Sequence, residues 1–161
     1  MAIMKVGDIY PSNNCSDMEV IEYINSTKVK VRFITTGYER YSEAGSIRCG
    51  SVKDRLSPAV YGLGYIGDGR FTSLNTEAYS VWTSMLERCY SSAYLEQNPT
   101  YRNCYVCEEW LNFQVFAEYY EETYPRKAKR GDYHLDKDIL INGNKLYSPV
   151  NCLWATPSEI L

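Results

Sequence analysis

The pattern of apolar and polar positions changes character three times along the chain. Val20-Ile21-Glu22-Tyr23-Ile24 and Val29-Lys30-Val31-Arg32-Phe33-Ile34 are short runs rich in β-branched and aromatic residues. Such runs, with Asn25-Ser26-Thr27-Lys28 between them, predict two strands joined by a turn. Lys28, Lys30 and Arg32 alternate with Val29, Val31 and Phe33, so one strand face is basic and the other apolar. Thr36-Gly37 and Gly45-Ser46 are expected to punctuate further short strands.

Beyond residue 75 the period lengthens. Tyr79, Trp82, Leu86 and Cys89 recur at helical spacing and predict a helix over 76–91, capped by Thr76. A loop with Pro99 is expected over 92–104. Trp110, Phe113, Ala117 and Tyr120, widened by Phe116 and Tyr124, predict a second helix over 106–123, which Pro125 ends. Glu108 and Glu109 would suit its positive N-terminal end. Near the C-terminus, apolar runs flank Asn142-Gly143, the commonest pair in a two-residue hairpin turn. Thr156-Pro157-Ser158-Glu159 then reads as a helix start.

These patterns predict an α+β protein. Residues 1–56 form a small bent β-sheet or barrel, Tudor- or KOW-like by analogy. Residues 57–75 form a Gly-rich linker, and 76–161 an α+β domain ending in a hairpin and helix. Gly62-Leu63-Gly64-Tyr65-Ile66-Gly67 matches the dinucleotide fingerprint as a string. It lacks the buried strand before it and the helix after it, and Asp68-Gly69-Arg70 continues as a turn. A glycine loop beside Arg70 can still approach a phosphate with its backbone N–H groups.

Composition narrows the partners. The chain has 161 residues, sixteen of them tyrosine, and a formal net charge of -3. That balance argues against a general nucleic-acid coat, which needs a broad basic face. Tyrosine suits interfaces and base stacking, and Tyr-rich faces would also suit a homo-oligomer. Arg126-Lys127-Ala128-Lys129-Arg130-Gly131 is the most basic local run and the best electrostatic candidate for phosphate, with a solvated loop that balances the preceding acidic helix as the alternative. No apolar run is long enough to span a membrane. Met1-Ala2-Ile3-Met4-Lys5 lacks the apolar core of a secretory leader. The expected location is the cytoplasm, a host cytoplasm if the protein is viral, where the six cysteines stay reduced.

The candidate chemistry gathers at the C-terminal stretch. His134, Asp136 and Lys137 cluster before the Asn-Gly pair, and Lys145 and Asn151 follow it. Cys104-Tyr105-Val106-Cys107 is a C-x-x-C pair that Cys89 and Cys152 would complete as a four-thiolate zinc site. Only one of the two close pairs of a strong zinc signal is present. Cys89 also lies on an apolar stripe, where a cysteine packs as a small hydrophobe.

From Tyr79 onward the chain resembles a family of phage-encoded HNH-like endonucleases. The carrying residues are Tyr79, Trp82, Met85-Leu86, Arg88-Cys89-Tyr90, then Val106-Cys107, Trp110 and Phe113, then Leu135-Asp136-Lys137, and finally Tyr147-Ser148-Pro149, Asn151-Cys152 and Trp154-Ala155-Thr156. The resemblance implies a ββα-metal site, in which a histidine activates water and a carboxylate and a helix residue hold one divalent metal, such as magnesium, against the phosphate. It places Asp136 on the carboxylate and Asn151 on the asparagine that fixes the loop. Lys137 stands where the general base belongs, and Ile160 or Leu161 where the helix ligand belongs. Lysine, with a reference pKa near ~10.4, holds its proton at neutral pH, and an aliphatic side chain offers no lone pair. The chain ends there, so no later helix residue is expected to substitute. His134, three residues before Lys137, is expected on the opposite strand face but is the one available replacement base.

The expected function is binding of nucleic acid or a small nucleotide on a nuclease-derived scaffold, with metal-dependent phosphodiester cleavage weakened or lost. Lys137, Lys145, Arg88, Arg70 and Asn151 are the candidate phosphate contacts, and Trp154 with the tyrosines the candidate base contacts. One alternative is a viral anti-defence protein that sequesters or degrades a cyclic-nucleotide signal. Another is an inhibitor that acts by protein contact.

Overall fold

The computed structural model describes residues 3–160. Met1-Ala2, part of the leader reading, and Leu161, one of the two candidate helix-ligand positions, lie outside them. The architecture is α+β, and the chain divides into two compact units, Met1–Ser57 and Pro58–Leu161.

The first unit is a four-stranded antiparallel sheet. Its strands are β1 (Ile9–Tyr10), β2 (Met18–Asn25), β3 (Lys28–Phe33) and β4 (Glu39–Ser42), in the order β1-β2-β3-β4. Asn25 closes the β2–β3 turn by accepting from the Thr27 backbone N–H at 2.9 Å and its hydroxyl at 2.7 Å. Irregular register in β2, between Val20 and Glu22 and between Tyr23 and Asn25, marks bulges that bend the pair. The sheet stays open, so the barrel alternative does not hold.

The expected alternation is present. Val29, Val31 and Phe33 are fully buried with Met18 and Val20, while Lys28 and Arg32 face outward. Glu39 offsets part of the basic face, lying 3.5 Å from Lys30 and 3.1 Å from Arg32. Gly45-Ser46 lies in a short helix, α1 (Ala44–Cys49), and not between strands. Its Ile47 fills the same core, and Gly50 ends it at φ 74°.

The second unit is built on two helices, α2 (Thr76–Tyr90) and α4 (Phe113–Thr123). Trp82, Met85 and Leu86 of α2 and Phe113 and Phe116 of α4 are fully buried around Trp110. The Trp82 indole N–H donates to the Trp110 carbonyl at 2.7 Å, so this large ring buries no unmet donor. Thr76 is the first helical residue of α2 and not its cap; Asn75 precedes it.

The second helix begins later than its pattern suggests. Residues 105 and 106 form strand β5 (Tyr105–Val106), and Glu108–Leu111 is a 3-10 turn. Asn112 then caps α4 by accepting from the Gln114 N–H at 2.9 Å. Inside the expected 92–104 loop, α3 (Ser92–Gln97) and a 3-10 turn at Pro99–Tyr101 appear.

The Gly-rich stretch is not a linker. Ile66 and Phe71 pack on the core of the second unit, and Gln114 of α4 ties down the bent backbone between them. The Gln114 amide donates to the Ile66 and Phe71 carbonyls at 2.9 and 2.7 Å, and its oxygen accepts from the Phe71 N–H at 3.0 Å. Backbone bonds from Tyr65 to Leu111 and from Phe113 to Tyr65 complete the seam, at 2.9 Å each.

The C-terminal stretch departs most from expectation. Strand β6 (His134–Asp136) pairs antiparallel with β8 (Leu153–Ala155), and β7 (Leu146–Tyr147) pairs parallel with β5. The two arms beside Asn142-Gly143 therefore do not pair with each other. Of that pair only Gly143 has positive φ, at 74°, whereas the expected hairpin turn requires it at both residues. The arms are recruited by other strands because the residues they bury, Leu135 and Tyr147, face the Trp82–Trp110 core. After β8, Thr156 and Glu159 form one capped turn, with the Thr156 N–H donating to the Glu159 carboxylate at 2.9 Å.

Candidate phosphate-binding groove

Two adjoining recesses run along β6. One, of about 240 Å³, is bounded by Ser80, Val81 and Ser84 of α2, Tyr120 and Tyr124, and the Arg130–His134 segment. The other, of about 190 Å³, is bounded by Tyr101, Asp136, Lys137, Asp138, Tyr147 and Ile160. Arg88, His134 and Leu135 line both, so the two recesses share one wall along the strand.

The helix sets Arg88 in place. It follows Leu86 and precedes Cys89 on the buried stripe, so its stem is carried half into the core while its head meets Tyr147. Burial works against its charge, but the hydrogen bond to the Tyr147 phenol and the surrounding rings outweigh it and hold the guanidinium pKa above its usual value. Burial pushes the Tyr147 phenol up in turn, so it stays neutral and accepts from Arg88.

Lys137 lies just past the end of β6, in a bend. Its side chain is 8% exposed, and its ammonium donates to both Asp138 carboxylate oxygens, at 2.9 and 3.1 Å. The ammonium also sits 5.8 Å from the ring centres of Tyr101 and Tyr147, within cation–π range of each. Burial opposes its charge, yet the Asp138 hydrogen bond and nearby groups keep its pKa above the usual lysine value. Lys137 is therefore a cation throughout the neutral range and cannot serve as a base. His134 and Lys137 were expected on opposite faces; they line one recess because the strand ends at Asp136.

Asp136 is occupied by its own loop. One carboxylate oxygen accepts from the Asp138 and Ile139 N–H groups at 2.9 and 2.7 Å. In the loop after β6 it is the Asn144 side chain that bonds the backbone. The Asn144 amide donates to the Lys137 and Leu146 carbonyls at 3.0 and 2.7 Å, and its oxygen accepts from the Leu146 N–H at 3.0 Å. Asn151 is held by a backbone turn to Ser148 at 3.2 Å. The signal for Asn144 was its place directly after Asn142-Gly143, where Asn side chains commonly bond nearby backbone.

The residues present do not fit a divalent metal. Among the described residues no group of three His, Cys, Asp or Glu side chains converges to hold one. Beside Asp136 the positions that would complete a site carry an ammonium, at Lys137, and an aliphatic chain, at Ile160. The four-thiolate zinc reading meets the same difficulty. Cys89, Cys104 and Cys152 are buried in the core, with Cys107 at its edge, but they do not assemble a ligand set. Burial pushes the Cys89 and Cys152 thiols up to about 12, so both are neutral packing groups.

Three other expected contacts lie elsewhere. Arg70 pairs with Glu121 through two hydrogen bonds, at 2.8 and 3.3 Å, and covers the Phe71 ring. Lys145 donates to the Thr100 carbonyl at 3.1 Å. The Trp154 indole donates to Thr123 at 2.8 Å and backs the groove from behind, edge-on to Tyr120 and Tyr124. Arg130, anonymous within the basic run, is the cation the fold does bring in. Its guanidinium donates to Ser80 of α2 at 2.9 Å, at the far end of the groove from Lys137.

One recess thus brings Arg130 and Arg88 together with Tyr120 and Tyr124, and the other Arg88 and Lys137 with Tyr101 and the buried Tyr147. Such an array can hold oxyanions and stack planar rings. Among the described residues no group of three His, Cys, Asp or Glu side chains lies beside it. Comparison with protein-family models, curated proteins and solved structures finds no match. No helix among the described residues is long and apolar enough to cross a membrane.

Proposed function

We propose that the second unit is a binding module for phosphodiester ligands, a short single-stranded nucleic acid or a small nucleotide, on a scaffold of HNH-like nuclease type that does not cleave them by a metal-dependent route. The observation that carries this reading is a pair of neighbouring recesses that share Arg88, one lined also by Arg130 and the other by Lys137, each with tyrosines in its wall. Neighbouring cationic recesses with aromatic walls suit phosphates and the bases attached to them. The net charge of -3 disfavours a duplex, which needs many phosphate contacts. The small volume of each recess favours a ligand of few phosphates, and a cyclic-nucleotide signal sequestered in viral anti-defence is the second reading on that ground.

The test is calorimetric titration with a cyclic dinucleotide, a short single strand and a duplex, each at several salt concentrations. The expected result is binding of one of the first two, with a shallow slope of log affinity on log salt, about -1 to -3 for so few contacts. Arg130→Ala and Lys137→Met should each weaken it. A steep slope with duplex preference would overturn the reading of the ligand. Magnesium-dependent nicking of plasmid DNA that disappears in Asp136→Ala would overturn the loss of cleavage.

A further inference from the structure

The Lys137–Asp138 pair is built asymmetrically. The lysine side chain is 8% exposed and fixed between two tyrosine rings, whereas the aspartate side chain is 49% exposed. The ammonium is thus part of the recess wall, and the carboxylate reaches it from the solvent side. Neighbours in a strand would point to opposite faces, but β6 ends at Asp136, and the bend lets residue 138 turn back on residue 137. Asp136 accepts from the Asp138 N–H and so fixes the backbone from which that carboxylate reaches. The backbone of residue 138 is held, while its side chain has only Lys137 as a partner among the bonds of this loop.

A carboxylate that takes two hydrogen bonds from an ammonium has the charge and spacing of two phosphate oxygens. We infer that the Lys137 recess is an oxyanion subsite for a tetrahedral phosphate group, and that the Asp138 carboxylate fills it as a built-in surrogate until a phosphate displaces it. This rests on the groove being a phosphodiester site. On entry the phosphate takes over the Lys137 hydrogen bonds and gains Arg88 on the opposite wall, while Asp138 rotates into water at little cost. No covalent step is involved. Because the aspartate competes for the lysine, apparent affinity is reduced by the fraction of molecules in which the surrogate is in place.

The experiment compares the full chain with Asp138→Asn and Lys137→Met, using inorganic phosphate and cyclic di-GMP as probes in calorimetry and thermal melting. Asparagine keeps the shape and removes the charge. If the surrogate occupies the subsite nine times in ten, Asp138→Asn should bind the probes about tenfold more tightly, and Lys137→Met should abolish the gain when the two are combined. Ligand-free melting of Asp138→Asn shows that the variant is folded. Wild-type binding that is unchanged or weaker in folded Asp138→Asn overturns the surrogate while leaving the groove reading in place. Failure of every form, including Asp138→Asn, to bind either probe or a short single strand overturns both.

Discussion

The side-chain amide of Asn144 donates to the carbonyl of Lys137 across the base of the loop that follows β6, at 3.0 Å. With its second bond to Leu146 and the acceptor it offers the Leu146 N–H, Asn144 satisfies three backbone groups that no strand pairs. Replacing it by alanine should cost about 1–3 kcal/mol, the usual range for leaving such groups unmet. Asn151→Ala, which removes no side-chain hydrogen bond described for that residue, should cost less. Urea denaturation of the two variants checks the order, and equal losses would refute the role given to Asn144.

Gln114 plays the same part for the glycine-rich strap. Gln114→Ala strips partners from Ile66 and Phe71 together, so a loss of about 2 kcal/mol is expected. Limited proteolysis should then cut within 60–75 well before the rest of the second unit. Cleavage there at the wild-type rate would return the segment to the status of a linker.

How far the sequence reveals the fold depends on the range of the forces involved. The stripe of Trp82, Leu86 and Cys89 and the alternation of Val29, Val31 and Phe33 are local periodicities, and the structure keeps both. The strap was misread because its anchor, Gln114, lies 43 positions from Phe71 and carries no periodic signal. The Asn142-Gly143 hairpin was misread because local turn preference was overridden by distant partners, with β6 taken by β8 and β7 by β5. At the site, Arg88 and Lys137 were legible from the order of motifs. Arg130 is legible only as one cation of the basic run that is the electrostatic candidate for phosphate, since the approach of Ser80 is what distinguishes it from the others of its loop.

Two glycines of the strap test its packing from the other side. Gly67 has φ 77°, and a Cβ there would collide with the Asn112 side chain that caps α4. Gly67→Ala therefore combines backbone strain with damage to a helix cap, and about 2–3 kcal/mol of destabilisation is expected. Gly62 has nearly the same φ, 79°, but its Cβ would meet open space. Gly62→Ala should cost only the strain, about 1 kcal/mol. Chemical denaturation that finds the two variants equally stable would show that the Asn112 contact carries no weight.

Alkaline pH should weaken the fold through the buried thiols. Cys89 and Cys152 hold their protons up to about 12 in the folded chain, because burial disfavours the thiolate. In the unfolded chain they ionise near the ordinary value of ~8.5–9. Between those limits the folded state binds more protons than the unfolded state, so stability falls as pH rises. The slope approaches about 1.4 kcal/mol per pH unit for each thiol once the unfolded thiol is fully ionised. Lys137, whose pKa is also raised, acts in the same sense, but only above its unfolded value of about 10.5. The window from pH 9 to 10.5 therefore excludes Lys137, while the Tyr120 and Tyr147 phenols, also pushed up by burial, add a decline of the same sign, so the cysteine share is read from the difference between wild type and Cys152→Ala. Urea midpoints measured across it under reducing conditions should decline, and Cys152→Ala should decline less steeply than wild type even though the cavity lowers its stability overall. A wild-type curve that stays flat across this window would mean that the thiols are hydrated in the folded chain. Cys49 supplies the contrast: it is exposed and its thiol is lowered by the Ser51 hydroxyl, so a thiol reagent at pH 8 should modify it long before Cys89 or Cys152.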